Sequence, residues 1–196
     1  MNAMEILEQN EWENESFKSL QLSEVDLTGK NFDECEFIDC AFINCNFRSV
    51  SIINCEFKNC NLSNLALTNA KMGEVLFTEC KLVGLNFSTC KKLLFSIRLD
   101  KCMLQMCNFS NLKLNDLSFH GSEFKDCDFY EANLSDTDFS QCNLHGSLFE
   151  NCDLREADFR NATNYTIDPN QNKLKKARFS MPEVLSFLAP LELVIE

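Results

Sequence analysis

The sequence contains few of the residues that usually build loops and few of those that usually build active sites. It has five glycines, three prolines, one tryptophan, two tyrosines and two histidines among 196 residues. No apolar run approaches the roughly 18 residues that a transmembrane helix needs, and the start of the chain lacks the basic and apolar regions of a secretory signal. The Gly-x-Ser-x-Gly, phosphate-cradling glycine and His-Glu-x-x-His motifs are missing too. We therefore expect a soluble cytoplasmic protein that is not an enzyme and holds no cofactor or metal.

The charge of the chain restricts its partners. There are 30 acidic and 18 basic residues, which gives a formal net charge of −12. A chain of this charge repels nucleic-acid backbones and anionic membranes, so we expect neither as a direct partner. The acidic excess either favours a basic protein partner or serves solubility alone.

An apolar residue recurs every five positions along most of the chain. This series of central residues runs from Leu22 to Phe87, then resumes at Leu94 after a two-residue insertion near Lys91-Lys92 and continues to Phe159. A period of five matches neither a helix nor a strand. A second small or apolar residue lies two positions before most central residues, so each repeat predicts a short strand followed by a corner.

Four repeats are predicted to complete one coil, because like residues recur at every fourth repeat. Eight of nine residues in one such column are phenylalanine: Phe17, Phe37, Phe57, Phe77, Leu99, Phe119, Phe139, Phe159 and Phe179. With coils about 4.8 Å apart, seven to eight coils form a rod roughly 35 Å long.

The repeat resembles that of the pentapeptide-repeat proteins, whose consensus is A(D/N)LXX. It is clearest in Glu131-Ala132-Asn133-Leu134-Ser135, Gln141-Cys142-Asn143-Leu144-His145 and Glu156-Ala157-Asp158-Phe159-Arg160. The resemblance implies an all-β, right-handed quadrilateral β-helix over residues 15–181. Residues 1–14 are then an N-terminal cap, and residues 182–196 form a C-terminal helix and strand.

The register of the cysteines predicts a structural role. All twelve follow the five-residue register of the position two before a central residue, which for Cys90 falls at the insertion, and there they act as small buried hydrophobes: Cys35, Cys40, Cys45, Cys55, Cys60, Cys80, Cys90, Cys102, Cys107, Cys127, Cys142 and Cys152. Tetrahedral zinc sites need converging ligands, whereas these thiols line up in columns.

His120 and His145 each follow a central residue, so they are expected to point outward and not to pair with each other. The Asp and Asn residues before central residues are expected to bond turn backbone.

Both ends depart from the repeat. At the N-terminus, residues 2–10 predict a short helix, followed by Trp12, that caps or flanks the first coil. Ile38, Ile43 and Ile53 are expected to face outward, where this segment covers them or they remain scattered surface residues. At the C-terminus, a loop at 164–172 interrupts the repeat before a helix at 181–188 and a strand at 191–195. The apolar tail predicts a self-complementary dimer interface made of Leu185, Leu188, Leu191, Leu193, Val194 and Ile195.

The tail also resembles that of the quinolone-resistance Qnr proteins and, more loosely, MfpA. The matching residues are Ile167-Asp168-Pro169, Leu174 and Leu188-Ala189-Pro190-Leu191. The resemblance implies a homodimer joined tail to tail that imitates duplex DNA and acts on DNA gyrase or topoisomerase IV. However, only a short insertion at 91–96 stands where those proteins carry a larger loop, which weakens the case for gyrase protection.

A DNA mimic needs carboxylates along its rod. One corner column reads Glu34, Asn54, Glu74, Ser96, Asp116, Asp136 and Glu156, which are five acids in seven positions. We predict that these five acids bind a partner, although random placement of acids in an acidic chain could also produce the column.

A basic cluster of Lys173, Lys175, Lys176 and Arg178 is either a solvated edge or a binding site. The competing hypothesis is a scaffolding module whose partner has no relation to DNA and contacts the apolar surface near Ile38, Ile43 and Ile53.

Overall fold

The computed structural model describes residues 5–191. Within this range, short strands wind around a common axis, with one short helix before them, one between them and one after them. The helices are α1 (Glu5–Glu8) and two 3-10 helices, Phe87–Thr89 and Glu183–Leu191. The strands are β1 (Glu11–Glu13), β2 (Ser16–Lys18), β3 (Gln21–Ser23), β4 (Asn31–Asp33), β5 (Glu36–Ile38), β6 (Ala41–Ile43), β7 (Ser51–Ile53), β8 (Glu56–Lys58), β9 (Asn61–Ser63), β10 (Lys71–Gly73), β11 (Val75–Thr78), β12 (Lys81–Val83), β13 (Ile97–Asp100), β14 (Met103–Gln105), β15 (Glu123–Lys125), β16 (Leu148–Phe149), β17 (Asp158–Phe159), β18 (Thr166–Ile167) and β19 (Arg178–Phe179).

The strands stack in parallel into a four-sided solenoid. The first face is the sheet β1-β4-β7-β10, the second is β2-β5-β8-β11-β13 with β17-β19 further along, and the third is β3-β6-β9-β12-β14-β15. The fourth face is held by isolated bridges such as Asn108↔Asp128 and by β16-β18. Phe37 pairs with Phe57 and Phe57 with Phe77, so one coil takes four pentapeptide repeats. The predicted four-sided β-helix is confirmed.

Most corners are made by the residue that lies two positions after a central residue. These residues have positive φ, for example 54° at Asp39 and 54° at Asn44, which Asn, Asp and Gly tolerate best. The Asp and Asn side chains before central residues bond the turn backbone, as predicted: Asp128 Oδ1 accepts from the Tyr130 N–H at 2.8 Å, and Asp138 Oδ1 from the Ser140 N–H at 2.8 Å. Each of these repeats therefore supplies the hydrogen-bond acceptor for an N–H group of its own turn.

The core is a continuous column of inward side chains. On the second face, Phe37 stacks on Phe17 at 4.8 Å and on Phe57 at 4.5 Å between ring centroids. The fourth face has its own stack, in which Phe109 lies 4.8 Å from Phe87 and 5.1 Å from Phe129. These rings are buried. The regular spacing of the coils therefore also sets the distance at which the core phenylalanine rings pack.

The solenoid begins earlier than residue 15. Trp12 is the buried central residue of β1, which pairs with β4, so it belongs to the first coil rather than to a cap. Ahead of it, α1 is a single turn whose Ile6 is fully buried. The rest of the predicted helix, residues 2–4, lies outside the described residues. Lys30 is buried and donates from Nζ to the carbonyl oxygens of Leu7 and Gln9, which holds this end in place.

The prediction that Leu94 is a central residue is wrong. Leu94 has a φ of 61° and is 78% exposed, and Leu93 beside it is 82% exposed. Phe95 turns inward instead and packs edge-on against Phe87, with ring centroids 6.3 Å apart. The two extra residues therefore make a bulge on the first face, and the column resumes only afterwards.

The C-terminal region departs from the predicted boundaries in two places. Within the predicted loop at 164–172, β18 pairs with β16. The following helix is 3-10, begins at Glu183 rather than 181, and extends to Leu191. The predicted closing strand falls mainly on residues 192–196, outside the described residues. No helix among residues 5–191 is long and apolar enough to cross a membrane.

Candidate partner-binding surface

The predicted acidic column lies along the corner between the first and second faces, which we call the acidic corner. Glu34, Asp136 and Glu156 have φ values of 52°, 58° and 63°. Their N–H groups donate to carbonyl groups of the next coil: Glu34 to Ile53 at 3.0 Å, Asp136 to Arg155 at 2.9 Å and Glu156 to Lys175 at 3.0 Å. Because the backbone is fixed in this way, the side chains leave the rod at one corner. All five predicted acids, Glu34, Glu74, Asp116, Asp136 and Glu156, are exposed.

The corner is interrupted at the bulge. Ser96 does not take the left-handed conformation of the other corner residues; its N–H donates to the Met72 carbonyl and its own carbonyl accepts from Val75. Ser96 is also partly buried. The acidic corner is therefore two segments, one before and one after the bulge.

Basic neighbours offset part of the charge. Arg98 Nη2 lies 3.8 Å from Glu74 Oε2, and Lys176 Nζ lies 3.3 Å from Glu156 Oε1. Such exposed pairs add little stability, but each reduces the local negative potential.

The strongest negative charge lies at the N-terminal end. Residues 5–39 contain eleven acids and two bases. Around Glu34, the neighbouring positions of the first two coils are occupied by Glu13, Asp33 and Glu36. The Asp33 carboxylate accepts from Asn54 Nδ2 at 3.2 Å, and the Glu36 carboxylate accepts from Ser16 Oγ at 3.2 Å. The single-column prediction missed these acids, which a count over each coil would have found.

The predicted basic cluster lies at the other end of the same corner and is largely paired. Lys173 lies 3.9 Å from Asp153, and Arg178 lies 3.8 Å from Asp158. Arg155 and Arg160 also bind these two aspartates, each at 2.6 Å. Their hydrogen bonds hold the pKa values of Asp153 and Asp158 below the usual range.

The cysteines are placed as predicted. All twelve are buried, and every thiol but that of Cys127 donates to a carbonyl group of the preceding coil, as Cys80 Sγ does to Phe57 O at 3.3 Å. Burial raises the pKa of Cys55, Cys90, Cys142 and Cys152 to about 12. These thiols are poor nucleophiles because a reactive cysteine needs its thiolate.

The histidines face outward, as predicted. His120 Nδ1 lies 2.8 Å from Ser140 Oγ, and His145 is exposed. Over residues 5–191, no three His, Cys, Asp or Glu side chains converge as metal ligands would.

The C-terminal 3-10 helix covers the last coil. Phe187 packs edge-on against Phe179, with ring centroids 4.8 Å apart, and lies 6.2 Å from the Tyr165 ring. Of the predicted dimer residues, Leu185 is 39% exposed and Leu188 is partly buried. Leu191 ends the helix, while Leu193, Val194 and Ile195 lie outside the described residues.

The three isoleucines do not form the predicted apolar surface. Ile53 lies on the first face, Ile38 on the second and Ile43 on the third. All three are partly buried. Because they point in three directions, neither one partner surface nor the N-terminal segment covers them together.

Comparison with known proteins identifies the repeat. The family model described as a pentapeptide repeat region matches residues 30–105, 50–124 and 102–179. A trypsin-treated form of QnrB1, a plasmid-mediated fluoroquinolone resistance protein, is 20% identical with a TM-score of 0.48, over 95% of this chain and 90% of that chain. HetL, a pentapeptide repeat protein involved in heterocyst differentiation regulation from the cyanobacterium Nostoc, is 16% identical with a TM-score of 0.42, over 93% and 98%. No curated protein sequence matches. Since the family model covers well over half of the sequence, the chain belongs to the pentapeptide-repeat family.

Proposed function

We propose that the chain is a non-enzymatic interaction protein that docks its acidic corner on a basic protein surface, and that its target is a type II topoisomerase, DNA gyrase or topoisomerase IV. The observation that carries this proposal is the stacking of exposed carboxylates along one corner by the ladder bonds of Glu34, Asp136 and Glu156. Carboxylates fixed at intervals of about 4.8 Å or its multiples present an ordered negative charge, as a nucleic-acid backbone does.

Electrostatics and rigidity both support binding by this corner. A net charge of −12 attracts a basic surface from a distance. The ladder bonds already fix the backbone of the corner, so docking needs no further ordering of the backbone. The Qnr-like tail is the reason for choosing a topoisomerase among basic partners.

The test is a supercoiling assay with purified gyrase, titrated with the protein with and without a fluoroquinolone, and a matching decatenation assay with topoisomerase IV. Protection from the drug, or inhibition at high protein, is the expected result. No effect on either enzyme at a large molar excess overturns the topoisomerase target.

Charge-reversed variants test the surface. Glu74→Lys/Asp116→Lys/Asp136→Lys is expected to abolish the effect while the protein stays folded by circular dichroism. The matched control Glu79→Lys/Glu123→Lys/Asp126→Lys changes the net charge equally at other exposed positions and is expected to keep it. Equal loss in both variants means that overall charge, not the acidic corner, is what matters.

We also propose a homodimer formed through the C-terminal tail. The exposed part of Leu185 and the apolar composition of residues 191–196 support it. Leu188→Asp/Leu191→Asp is expected to give soluble monomers by light scattering, and a variant that remains dimeric excludes the tail as the interface.

A second candidate is an interaction module unrelated to DNA. The isoleucine surface does not support it, but exposed Leu93 and Leu94 do. Association that is insensitive to salt and to the charge reversals favours this candidate.

A further inference from the structure

The bulge on the first face exposes an apolar surface that the acidic corner does not use. Phe77 pairs with Phe57 at the regular interval on one side, but on the other side it pairs with Leu99, two positions beyond that interval. Phe95 anchors the bulge by packing against Phe87. Leu93 and Leu94 are left 82% and 78% exposed at its tip.

A groove runs between this tip and the first face, and Gly73 forms part of its floor. A Cβ atom at Gly73 would lie 3.1 Å from Ile53 Cδ1 and 3.5 Å from the Leu94 carbonyl oxygen. Only the contact with Ile53 is tighter than ordinary van der Waals packing, so the missing side chain leaves room for Ile53 in the groove floor beneath the bulge. Met72 and Leu93 complete the apolar lining.

The rim of the groove is basic, in contrast to the N-terminal end of the rod. Lys71 and Lys91 line it, and Lys92 Nζ donates to the Asn111 carbonyl at 3.0 Å beside it. Residues 40–99 contain seven bases and three acids. The part of the rod that exposes Leu93 and Leu94 therefore carries more basic than acidic residues.

We propose that this groove binds an extended segment of a partner protein in which large apolar side chains alternate with carboxylates. Alternation places the apolar side chains on one side of an extended segment and the acidic ones on the other, so that Leu93, Leu94 and Ile53 receive the first set and the lysines the second. The charge of the rim selects for acidic segments. The net charge of −12 disfavours the other apolar target, an anionic membrane.

The proposal is tested with a fluorescein-labelled peptide of the sequence Leu-Glu-Leu-Val-Ile-Glu, which is also the sequence of residues 191–196. Its first, third and fifth residues are large and apolar, and two of its other three residues are glutamates. Fluorescence anisotropy measures its binding to the full chain. Leu93→Ser/Leu94→Ser and Lys71→Glu/Lys91→Glu are each expected to weaken binding about tenfold or more. Gly73→Val fills the groove floor and is expected to have the same effect.

The matched control is Met103→Ser/Met106→Ser, which removes two side chains that are 50% and 56% exposed on another part of the rod and is expected to leave binding unchanged. A peptide with lysine in place of both glutamates is expected to bind about tenfold more weakly or worse. No binding of the acidic peptide, or binding that survives Leu93→Ser/Leu94→Ser, overturns the proposal.

Two further measurements distinguish other occupants. If light scattering shows that Leu93→Ser/Leu94→Ser converts a dimer to a monomer, the occupant is a second copy and the partner assignment is wrong. Equally, binding to anionic phospholipid vesicles that is lost in this variant assigns the surface to a membrane and overturns the proposal. Neither result depends on the gyrase assay, so this proposal and the proposed function succeed or fail separately.

Discussion

Phe139 and Phe159 lie on successive coils of the second face with ring centroids 4.9 Å apart and planes within 8° of parallel. Phe159 repeats this relationship with Phe179 at 5.1 Å. Strands in a parallel sheet are spaced about 4.8 Å apart, so backbone register brings equivalent rings into contact, here stacked, although Phe119 and Phe139 on the same face meet edge-on with centroids 5.3 Å apart. The stack therefore depends on the regular length of the coil rather than on any single contact.

The first prediction concerns this stack. Phe139→Ala is expected to cost about 3–5 kcal/mol of unfolding free energy, because the ring is fully buried and its removal leaves a cavity. Phe139→Leu is expected to cost less, since Leu99 fills the equivalent position on another coil. Urea unfolding measures both, with exposed Met103→Ala as the control. A loss below about 1 kcal/mol for Phe139→Ala would show that the column repacks around the cavity.

A second prediction concerns the fourth face, where the phenylalanine stack is broken by Leu67. Leu67 lies between Phe47 and Phe87 and borders a small apolar void in the core. Leu67→Phe is expected to fill this void and raise stability by about 1 kcal/mol, or about 2–4 °C in Tm.

The control for this change is Leu144→Phe, at a buried position away from the void. It is expected to destabilise by about 1–3 kcal/mol through overpacking. Equal destabilisation by both variants would mean that the void cannot accept the larger ring. Thermal unfolding followed by circular dichroism decides between these outcomes.

The sequence was sufficient to predict the coil because the repeat shows which residues face inward and how many residues complete one coil. Phe37 and Phe57 are four repeats apart and meet in the structure, and Cys80 lies inward where its register placed it. The acidic corner followed from the same counting. The coil geometry was therefore wrong only where the period changes. The predicted surface of Ile38, Ile43 and Ile53 failed for another reason, because these residues lie on three different faces of regular coils.

Leu94 and Lys30 show why other features of the structure could not be predicted from the repeat. Leu94 keeps the spacing of a central residue, but the insertion lets Phe95 take the inward direction, and only packing against Phe87 decides between the two. Lys30 occupies an inward position that usually holds a small apolar residue, and its burial depends on carbonyl groups of a preceding turn outside the repeat. The outward position of Leu94 and the burial of Lys30 both depend on contacts between segments whose separation in sequence is not set by the five-residue repeat.

A third prediction concerns acid stability. Arg160 binds Asp158 at 2.6 Å and holds the pKa of this carboxyl below the 3.8 of an unperturbed aspartate. A lowered folded-state pKa contributes stability above pH 3.8, which is lost as the pH falls through that lower value. Asp158→Asn is therefore expected to lower Tm at pH 6 and to reduce the fall in Tm at acidic pH.

The measurement is a series of thermal melts of wild type and Asp158→Asn from neutral to strongly acidic pH. Glu150→Gln removes one carboxylate from the neighbouring coil, outside the ion pairs found in residues 5–191, and is expected to follow wild type. Parallel curves for wild type and Asp158→Asn would mean that the arginine contact has no effect on unfolding.

The last prediction concerns Lys30, which holds the N-terminal turn onto the first coil. Its side chain is 4% exposed and its ammonium group donates to the carbonyl oxygens of Leu7 and Gln9, which lie in and just after α1. A cation at this end of a helical turn satisfies carbonyl groups that have no partner within the turn. Lys30→Met keeps the length of the side chain but removes all donors, so the turn is expected to detach from the coil.

Detachment is expected to appear as faster amide exchange of residues 5–10 and as a loss of about 1–3 kcal/mol in stability. Hydrogen-exchange mass spectrometry measures the first and urea unfolding the second. Lys18→Met, an exposed lysine of the same coil, is the matched control and is expected to change neither. Unchanged exchange in Lys30→Met would mean that burial of Ile6 alone retains the turn. Faster exchange confined to residues 5–10 would instead show that one inward lysine closes this end of the solenoid.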